Sequence, residues 1–288
     1  MGVTSIVVRE ATGGDLPAIA RVAELTGQVE EWSGSDPRYV GHLLAHGRVT
    51  VAEQQGVVTG FGAVLRIGDG AGAATMLCDL FVDPQCHGLG TGRALLASLW
   101  QPGTPRITFS SLHAHALPLY TRAGLDAWWP LLYLGGDVRA LPRPGGWTVS
   151  AATADRVAAL EAEWTGIDRS ADHRAWAARP GGLPVTASRR GPGLLAAGTV
   201  AGVAAEYGIA HMAMSPAAGD GEAAGAVLAV LASLDPPGGR ARVCLPGPHP
   251  ATRPLLAAGW HVDFVDVFMA TAPGLLGPRR IIPSPAMA

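Results

Sequence analysis

Residues Cys78–Trp100 read CDLFVDPQCHGLGTGRALLASLW, and this stretch decides the fold. An extended apolar run ends at Asp83-Pro84 and predicts a strand. A glycine-rich loop follows, and from Arg93 onward the apolar residues recur with helical periodicity. The stretch therefore predicts a strand, a loop and a helix. The helix is expected to bury one face, made of Leu95, Leu96, Leu99 and Trp100.

The loop His87–Gly92 has glycine at every second position. Glycine lets the backbone approach a ligand closely and leaves successive N–H groups accessible. The helix that follows directs the positive end of its dipole toward the same point. These features are typical of a pyrophosphate site. A tight strand-to-helix turn without a ligand is the alternative that the glycines alone leave open.

Two common nucleotide-binding loops do not fit this segment. The dinucleotide fingerprint requires G-x-G-x-x-G within a first βαβ unit, whereas the glycines here alternate. A Walker A loop requires a lysine, and the chain contains no lysine and no asparagine.

The segment resembles motif A of the GNAT N-acetyltransferase superfamily, in which V-x-P is followed by Q/R-x-x-G-x-G/A at the start of a helix. Gln85-x-x-Gly88-x-Gly90 matches the letters of that motif, whereas His87-x-x-Gly90-x-Gly92 matches its spacing from the proline. We prefer the second alignment, which places His87 where the family usually has Gln or Arg.

A second match lies downstream. His113–Leu125, HAHALPLYTRAGL, resembles motif B of the same family, N-x-x-A-x-x-L-Y-x-x-x-G-F. His113 stands at the position of the asparagine and Leu125 at that of the phenylalanine. The remaining matches are Ala116, Leu119, Tyr120 and Gly124. The resemblance covers about residues 5–135 and, more loosely, 146–272.

The resemblance implies an acetyl-CoA-dependent N-acetyltransferase in which a small-molecule amine attacks the thioester directly. Acetyl-CoA would lie across a splayed edge between strands near Thr75–Val82 and Arg106–Phe109. Tyr120 stands where the family places its general acid, and a core aromatic is the alternative. The backbone of Leu80, Phe81 and Val82 would bind the pantetheine arm. The pyrophosphate would be held by His87, Gly88, Leu89, Gly90, Thr91, Gly92 and Arg93.

The general base is less well specified. The strand positions at which the family often has Glu or His fall on Met76 and Cys78, and neither is a natural base. Asp79 is a candidate if a local bulge turns it inward, and a capping or ion-paired role is the alternative. His113 and His115 flank the expected entrance, and one of them is a further candidate base or acceptor contact. An ordered water chain without a dedicated base stays open, and we expect no metal ion.

The order of segments before Arg139–Gly146, RALPRPGG, recurs after it. For example, the strand ending in Val82-Asp83-Pro84 is echoed by one ending in Met214-Ser215-Pro216. The repeat predicts an α/β protein of two tandem GNAT-like domains. Each would be a mixed, mostly antiparallel sheet flanked by helices. We expect an acetyl-CoA-binding domain over 1–140 and a degenerate domain over 146–288.

The second repeat lacks the phosphate-binding features. Aligning Pro216 with Pro84 places Asp220, Glu222 and Ala224 where the first repeat has its three glycines, and two carboxylates would oppose a pyrophosphate. Leu255 replaces Tyr120. A polar stretch in this repeat could contact a charged acceptor, or it could be a solvated helix start; its residues are Asp168, Arg169, Asp172 and His173.

Composition limits the function classes. The formal net charge is −2, which argues against a broad nucleic-acid surface. No apolar run reaches the roughly 20 residues of a membrane helix, and no secretory leader is visible. We expect a cytoplasmic monomer or homodimer that binds neither nucleic acid nor membrane. The alternatives to an N-acetyltransferase are a non-catalytic acyl-CoA-binding protein and an enzyme with another acyl-CoA reaction.

Overall fold

The two repeats share one continuous β-sheet. A computed structural model describes residues 5–27, 36–68, 73–191, 193–203 and 206–287. These residues form a sheet of thirteen strands with helices on both faces. The strands are β1 (Val7–Glu10), β2 (Gly47–Gln54), β3 (Val57–Ile67), β4 (Ala74–Val82), β5 (Arg106–Ser110), β6 (Asp126–Asp137), β7 (Trp147–Ala151), β8 (Leu183–Arg189), β9 (Leu194–Val203), β10 (Glu206–Met214), β11 (Arg240–Pro246), β12 (His261–Ala270) and β13 (Ile281–Ile282).

The helices lie between these strands along the chain in both repeats. They are α1 (Leu16–Leu25), α2 (Pro37–His46), α3 (Thr91–Leu99), α4 (Ala116–Arg122), α5 (Ala154–Thr165), α6 (Ser170–Ala177), α7 (Asp220–Ser233) and α8 (Thr252–Ala257). None of the helices in these described ranges is long and apolar enough to span a membrane.

The sheet is mixed and mostly antiparallel, as predicted. Its strand order is β1-β2-β3-β4-β5-β12-β6-β11-β10-β9-β8-β7, and β13 pairs with β10. Among the described strands, the parallel pairs are β4 with β5 and β10 with β11. These two pairs occupy equivalent places in the two repeats.

The centre of the sheet shows an exchange of strands between the repeats, which the sequence did not predict. β12 of the second repeat pairs with β5 of the first, and β6 of the first pairs with β11 of the second. β6 and β12 also pair with each other. Each repeat therefore completes the sheet of the other.

Separate apolar clusters cover the two faces of the first repeat. α3 and α4 pack on one face, where Leu96, Leu99, Tyr120 and Leu125 are buried with Leu77 of β4. α1 and α2 pack on the other face, which also buries Trp176 of α6 and Met287 from the C-terminal segment. Parts of the second repeat thus cover one face of the first.

Candidate active site

The strands β4 and β5 separate partway along their length. They pair in parallel from Thr75 to Leu77 of β4, opposite Arg106 to Thr108 of β5. β4 then continues to Val82 with β3 as its neighbour. The backbone of Leu80–Val82 is therefore directed on one side into the opening between the strands. This opening lies where the family resemblance implies a splayed edge.

The loop after β4 is built on two glycines in the left-handed region. Asp83 Oδ1 accepts a hydrogen bond from the Gln85 N–H at 2.9 Å and fixes the turn out of the strand. Gly88 has φ +77° and Gly90 has φ +94°. Gly90 is the N-cap of α3, so the helix begins at Thr91 and not at Arg93 as predicted. The left-handed Gly90 ends the loop, and Thr91 and Gly92 form the first helical turn.

The geometry of this loop fits a bound pyrophosphate. A methyl group added at Gly88 or Gly90 would meet nothing within 4 Å, so the backbone conformation and not the packing requires glycine there. Residues 87–90 are exposed, and the first backward helical bond is from the Ala94 N–H to the Gly90 carbonyl. The amides before Ala94 at the helix start are available to an anion.

Three imidazoles adjoin the loop. The ring centroid of His87 lies 6.0 Å from that of His113 and 5.7 Å from that of His115. His87 Nε2 also lies 3.0 Å from the Val82 carbonyl oxygen. The structure therefore places His113, which lies just before α4, next to the loop residue His87. A role for His113 as base stays a prediction.

A β-bulge controls the direction of Asp79. Asp79 lies opposite Ala63 of β3, but Val64 lies opposite Leu77, so Cys78 is the extra residue. Asp79 is consequently on the α2 side of the sheet, where the Tyr39 hydroxyl donates to Asp79 Oδ2 at 2.9 Å. The inward turn considered for Asp79 is present, while its role as base stays a prediction.

The neighbouring strand residues are unsuited to proton transfer. Met76 is fully buried. Burial, followed by the charge of Asp79, raises the pKa of the Cys78 thiol well above its usual value.

Tyr120 is buried on the other face, in α4. Burial raises the pKa of its hydroxyl, and the negative charges of Asp79 and Asp266 add to the increase. The phenol is therefore protonated throughout the physiological range and can donate a proton or a hydrogen bond. Asp266 belongs to the exchanged strand β12, so the second repeat contributes to the electrostatic surroundings of Tyr120.

The second repeat also covers the face of the sheet that carries Asp79. Phe268 of β12 stacks on Trp129 with ring centroids 4.3 Å apart and contacts Phe109 at 5.5 Å. The C-terminal segment reaches Tyr39, whose hydroxyl lies 3.3 Å from the Ala286 carbonyl oxygen. The side of the sheet toward α2 is thus closed by residues of both repeats.

The polar stretch of the second repeat forms buried ion pairs. Asp168 is exposed and accepts hydrogen bonds from Ser170, as a helix start does. Arg169, in contrast, is 4% exposed and donates to the Met287 carbonyl oxygen and to Asp172. Asp172 Oδ1 lies 2.8 Å from His42 Nε2 of the first repeat.

The sequence-based reasoning missed Glu161 and His211, which join His173 in a buried cluster. Glu161 lies in an alanine-rich helix and His211 in an apolar strand, so neither stands out locally. The signal that could have found His211 is the repeat itself. Aligning Pro216 with Pro84 places His211 opposite Asp79, and β10 has its own register shift between Ile209 and His211.

The helix start in the second repeat is occupied by its own side chains. Glu222 Oε2 accepts a hydrogen bond from the Gly219 N–H at 2.9 Å, which closes a capping interaction at the start of α7. Asp220 pairs with Arg279. The amides that could bind an anion in the first repeat therefore face carboxylates in the second.

Comparisons with known proteins agree with this arrangement. The family model described as an acetyltransferase (GNAT) domain matches residues 45–124, which include β4, the loop, α3 and α4. No curated protein sequence matches the chain.

Similar solved structures extend over both repeats. A Pyrococcus horikoshii protein classed as an acetyltransferase is 14% identical, with TM-score 0.73 over 98% of this chain and 96% of its own. A tandem GNAT protein from the clavulanic acid biosynthesis pathway is 16% identical, with TM-score 0.61 over 94% of this chain and 100% of its own. A GCN5-related N-acetyltransferase from Sphaerobacter thermophilus is 16% identical, with TM-score 0.58 over 95% of this chain and 98% of its own.

Proposed function

We propose that this protein, in which residues 45–124 are a GNAT domain within a tandem GNAT fold, is an acyl-CoA-dependent N-acyltransferase acting on a small-molecule amine. The observation that carries the proposal is the combination of the opening between β4 and β5 with the exposed loop at the start of α3. An extended thioester cosubstrate with a pyrophosphate fits that combination.

In the first repeat, some residues would bind the cosubstrate and others would transfer protons. The amides from Gly88 to Arg93 would bind the pyrophosphate, with His87 beside them. The backbone of Leu80–Val82 would pair with the pantetheine arm as an additional strand would. Acetyl-CoA supplies the activated acyl group and a thiolate leaving group.

Direct attack by an amine needs the two reactants held together and one proton moved at each end. Tyr120 would protonate the departing thiolate, because its buried phenol keeps its proton. Asp79 is the candidate acceptor for the proton of the amine, because the bulge in β4 turns its carboxylate inward, to the α2 side of the sheet. Its hydrogen bond from Tyr39 fixes the orientation of that carboxylate.

The acid assignment predicts a selective loss of turnover in Tyr120→Phe. We expect kcat to fall at least tenfold, because a positioned proton donor contributes about 10²–10⁴ in rate. The dissociation constant for acetyl-CoA should stay within about twofold. Release of free thiol is measured with a panel of primary amines, including amino acids, polyamines and aminoglycosides.

Tyr207→Phe is the matched control, since Tyr207 is in the second repeat and its hydroxyl donates to the Gly181 carbonyl. It should behave as wild type. If Tyr120→Phe kept wild-type kcat across the pH range, Tyr120 would not be the acid.

Acyl-CoA binding without turnover is the second candidate function. It is favoured by two departures from the family pattern, His87 in the loop and the uncertain base. Tight acetyl-CoA binding with no thiol release for any amine in the panel would support it over the enzyme.

A further inference from the structure

A cluster of three titratable side chains in the second repeat takes no part in the site described above. Glu161 of α5, His173 of α6 and His211 of β10 have side chains that are at most 2% exposed. One potential ligand atom from each lies within 4.8 Å of the others. Three separate elements thus direct a carboxylate and two imidazoles to one buried point.

Contacts within the cluster and with its neighbours hold these side chains in place. The carboxylate oxygens of Glu161 lie 2.7 Å from His173 Nε2 and 2.8 Å from His211 Nε2. His173 Nδ1 lies 2.9 Å from the Thr199 hydroxyl, and the ring of His211 stacks on Trp176 with centroids 5.0 Å apart. A partner on the second nitrogen is what orients a metal-binding imidazole in proteins.

The chemistry of the three groups suits a cation. A carboxylate and imidazole nitrogens are ligands that divalent transition-metal ions accept in proteins. Metal ions bind these groups as the ionised carboxylate and the neutral imidazole.

Arg169 is a fixed positive charge beside the cluster. Its Nε lies 3.7 Å from Glu161 Oε1, and its Nη1 donates to Asp172 at 2.6 Å. The Asp172 carboxylate offsets this charge. Arg169 is thus shared between the carboxylates of Glu161 and Asp172, and buried charges are normally paired or bound to a metal.

A cavity of about 440 Å³ adjoins the cluster, with Glu161 and His211 in its wall. The lining also includes Arg169 and Arg280, and apolar side chains such as Ile67 of the first repeat and Leu276 of the C-terminal segment. This volume leaves room for a water molecule or a small ligand next to the cluster.

We propose that Glu161, His173 and His211 form a binding site for a divalent transition-metal ion, with Zn²⁺ as the best-matched ion. Two imidazoles and one carboxylate are a common three-ligand set for Zn²⁺, and the fourth position is then taken by water or substrate. The adjoining cavity supplies that fourth position. The site would be distinct from the acyl-transfer site and does not rest on the proposed function.

Binding of the ion makes two structural demands. Ligand atoms in tetrahedral zinc sites lie about 3.3 Å from one another. The two short contacts of Glu161, which use different carboxylate oxygens, must therefore open by about half an ångström, and ligand atoms that lie up to 4.8 Å apart must approach. Once Nε2 binds the ion, Nδ1 of His211 carries the ring proton. That nitrogen has no hydrogen-bond partner among the described residues, so a water molecule must accept its proton.

Metal binding is measured on the full chain, purified without a histidine tag and treated with EDTA. Zn²⁺ titration by calorimetry should give one site per chain with a submicromolar dissociation constant. Co²⁺ should give visible d–d absorption bands of a low-coordinate site, and Zn²⁺ should remove them. Absence of stoichiometric binding and of these bands in the wild-type chain would show that the cluster is held only by hydrogen bonds.

Variants locate the ion. His211→Gln and Glu161→Gln should each weaken Zn²⁺ binding at least a hundredfold, with folding checked by circular dichroism. The control is His113→Ala/His115→Ala, which removes two exposed imidazoles beside the loop and should keep the site. Loss of binding in that control, with retention in His211→Gln, would place the ion at the surface and contradict the proposal. The wild-type titration decides the matter even if a buried variant fails to fold.

Discussion

At the scale of single residues, Gly88 and Gly90 determine whether the loop can hold an anion. Both have positive φ and open space beside them, so their contribution is the direction of the backbone amides. A side chain in the left-handed region costs about 1–2 kcal/mol. A residue with a side chain there would rotate the amides away from their common point.

This predicts that Gly90→Ala weakens acetyl-CoA binding about tenfold or more, measured by calorimetry. The matched control is Gly166→Ala at the C-cap of α5. That glycine has φ +74° and equally open surroundings, but it is far along the chain from the loop. Both variants should lose similar stability, and only Gly90→Ala should lose affinity. Equal affinities in the two variants would mean that the loop does not bind the cosubstrate.

The loop could be predicted at this scale because glycine letters directly report permitted backbone conformations. The face of the sheet on which Asp79 lies could not be predicted. Strand alternation places it on the wrong face, and only the extra residue Cys78 reverses that. The pairs His42–Asp172 and Glu161–His211 join residues 130 and 50 positions apart, and local patterns give no sign of either.

At the scale of elements, the exchange of β6 and β12 depends on close packing at the centre of the sheet. Gly136 of β6 lies under the indole of Trp260, which follows α8 of the second repeat. A Cβ at Gly136 would be 2.4 Å from the Trp260 ring. Trp260 is 3% exposed and its Nε1 donates to the Asp137 carbonyl, so the ring has little room to move.

Gly136→Ala should therefore destabilise the protein by roughly 1–3 kcal/mol, the usual cost of overpacking. Urea unfolding followed by tryptophan fluorescence measures this. Gly145→Ala, in the segment between the repeats, meets nothing within 4 Å and should change stability by less than about 0.5 kcal/mol. Equal stability of the two variants would show that the contact between Gly136 and Trp260 is not tight in solution.

The kind and order of the elements could be predicted because each repeat carries its own strand, loop and helix signals. The neighbours that β6 and β12, the last long strands of the two repeats, take in the sheet could not be predicted. The residues of β6 that are buried, such as Leu131 and Leu134, do not specify from their own sequence which strand lies beside them. Long-range packing, such as that of Trp260 on Gly136, distinguishes the two arrangements.

At the scale of the whole molecule, buried histidines make stability depend on pH. Burial lowers the pKa of His249 to about 4, and burial also lowers that of His211. In the unfolded chain both titrate near 6.5. Between these values the unfolded state binds more protons, so its free energy falls relative to the folded state as pH decreases.

The free energy of unfolding should accordingly be highest above about pH 7 and fall from pH 6.5 toward pH 4, by about 1.4 kcal/mol per unit of pKa difference for each histidine. Urea unfolding across pH 4–8 measures this. His249→Gln should show a shallower decrease than wild type. An identical pH dependence in His249→Gln would mean that this imidazole is not held neutral in the folded state.

Below about pH 4.5 the carboxylates also lose their stabilising contribution. The pKa values of Glu161 and Asp172 are lowered in the folded state, so their stabilisation is present above the unfolded pKa and is lost on acidification.

The central claim of this account is that one acyl-CoA binds per chain, at the loop of the first repeat. Calorimetric titration of the full chain with acetyl-CoA tests it most directly. We predict one site per chain, because the helix start of the second repeat is closed by Glu222 and Asp220. Absence of binding heat, or two equivalent sites per chain, would contradict the account.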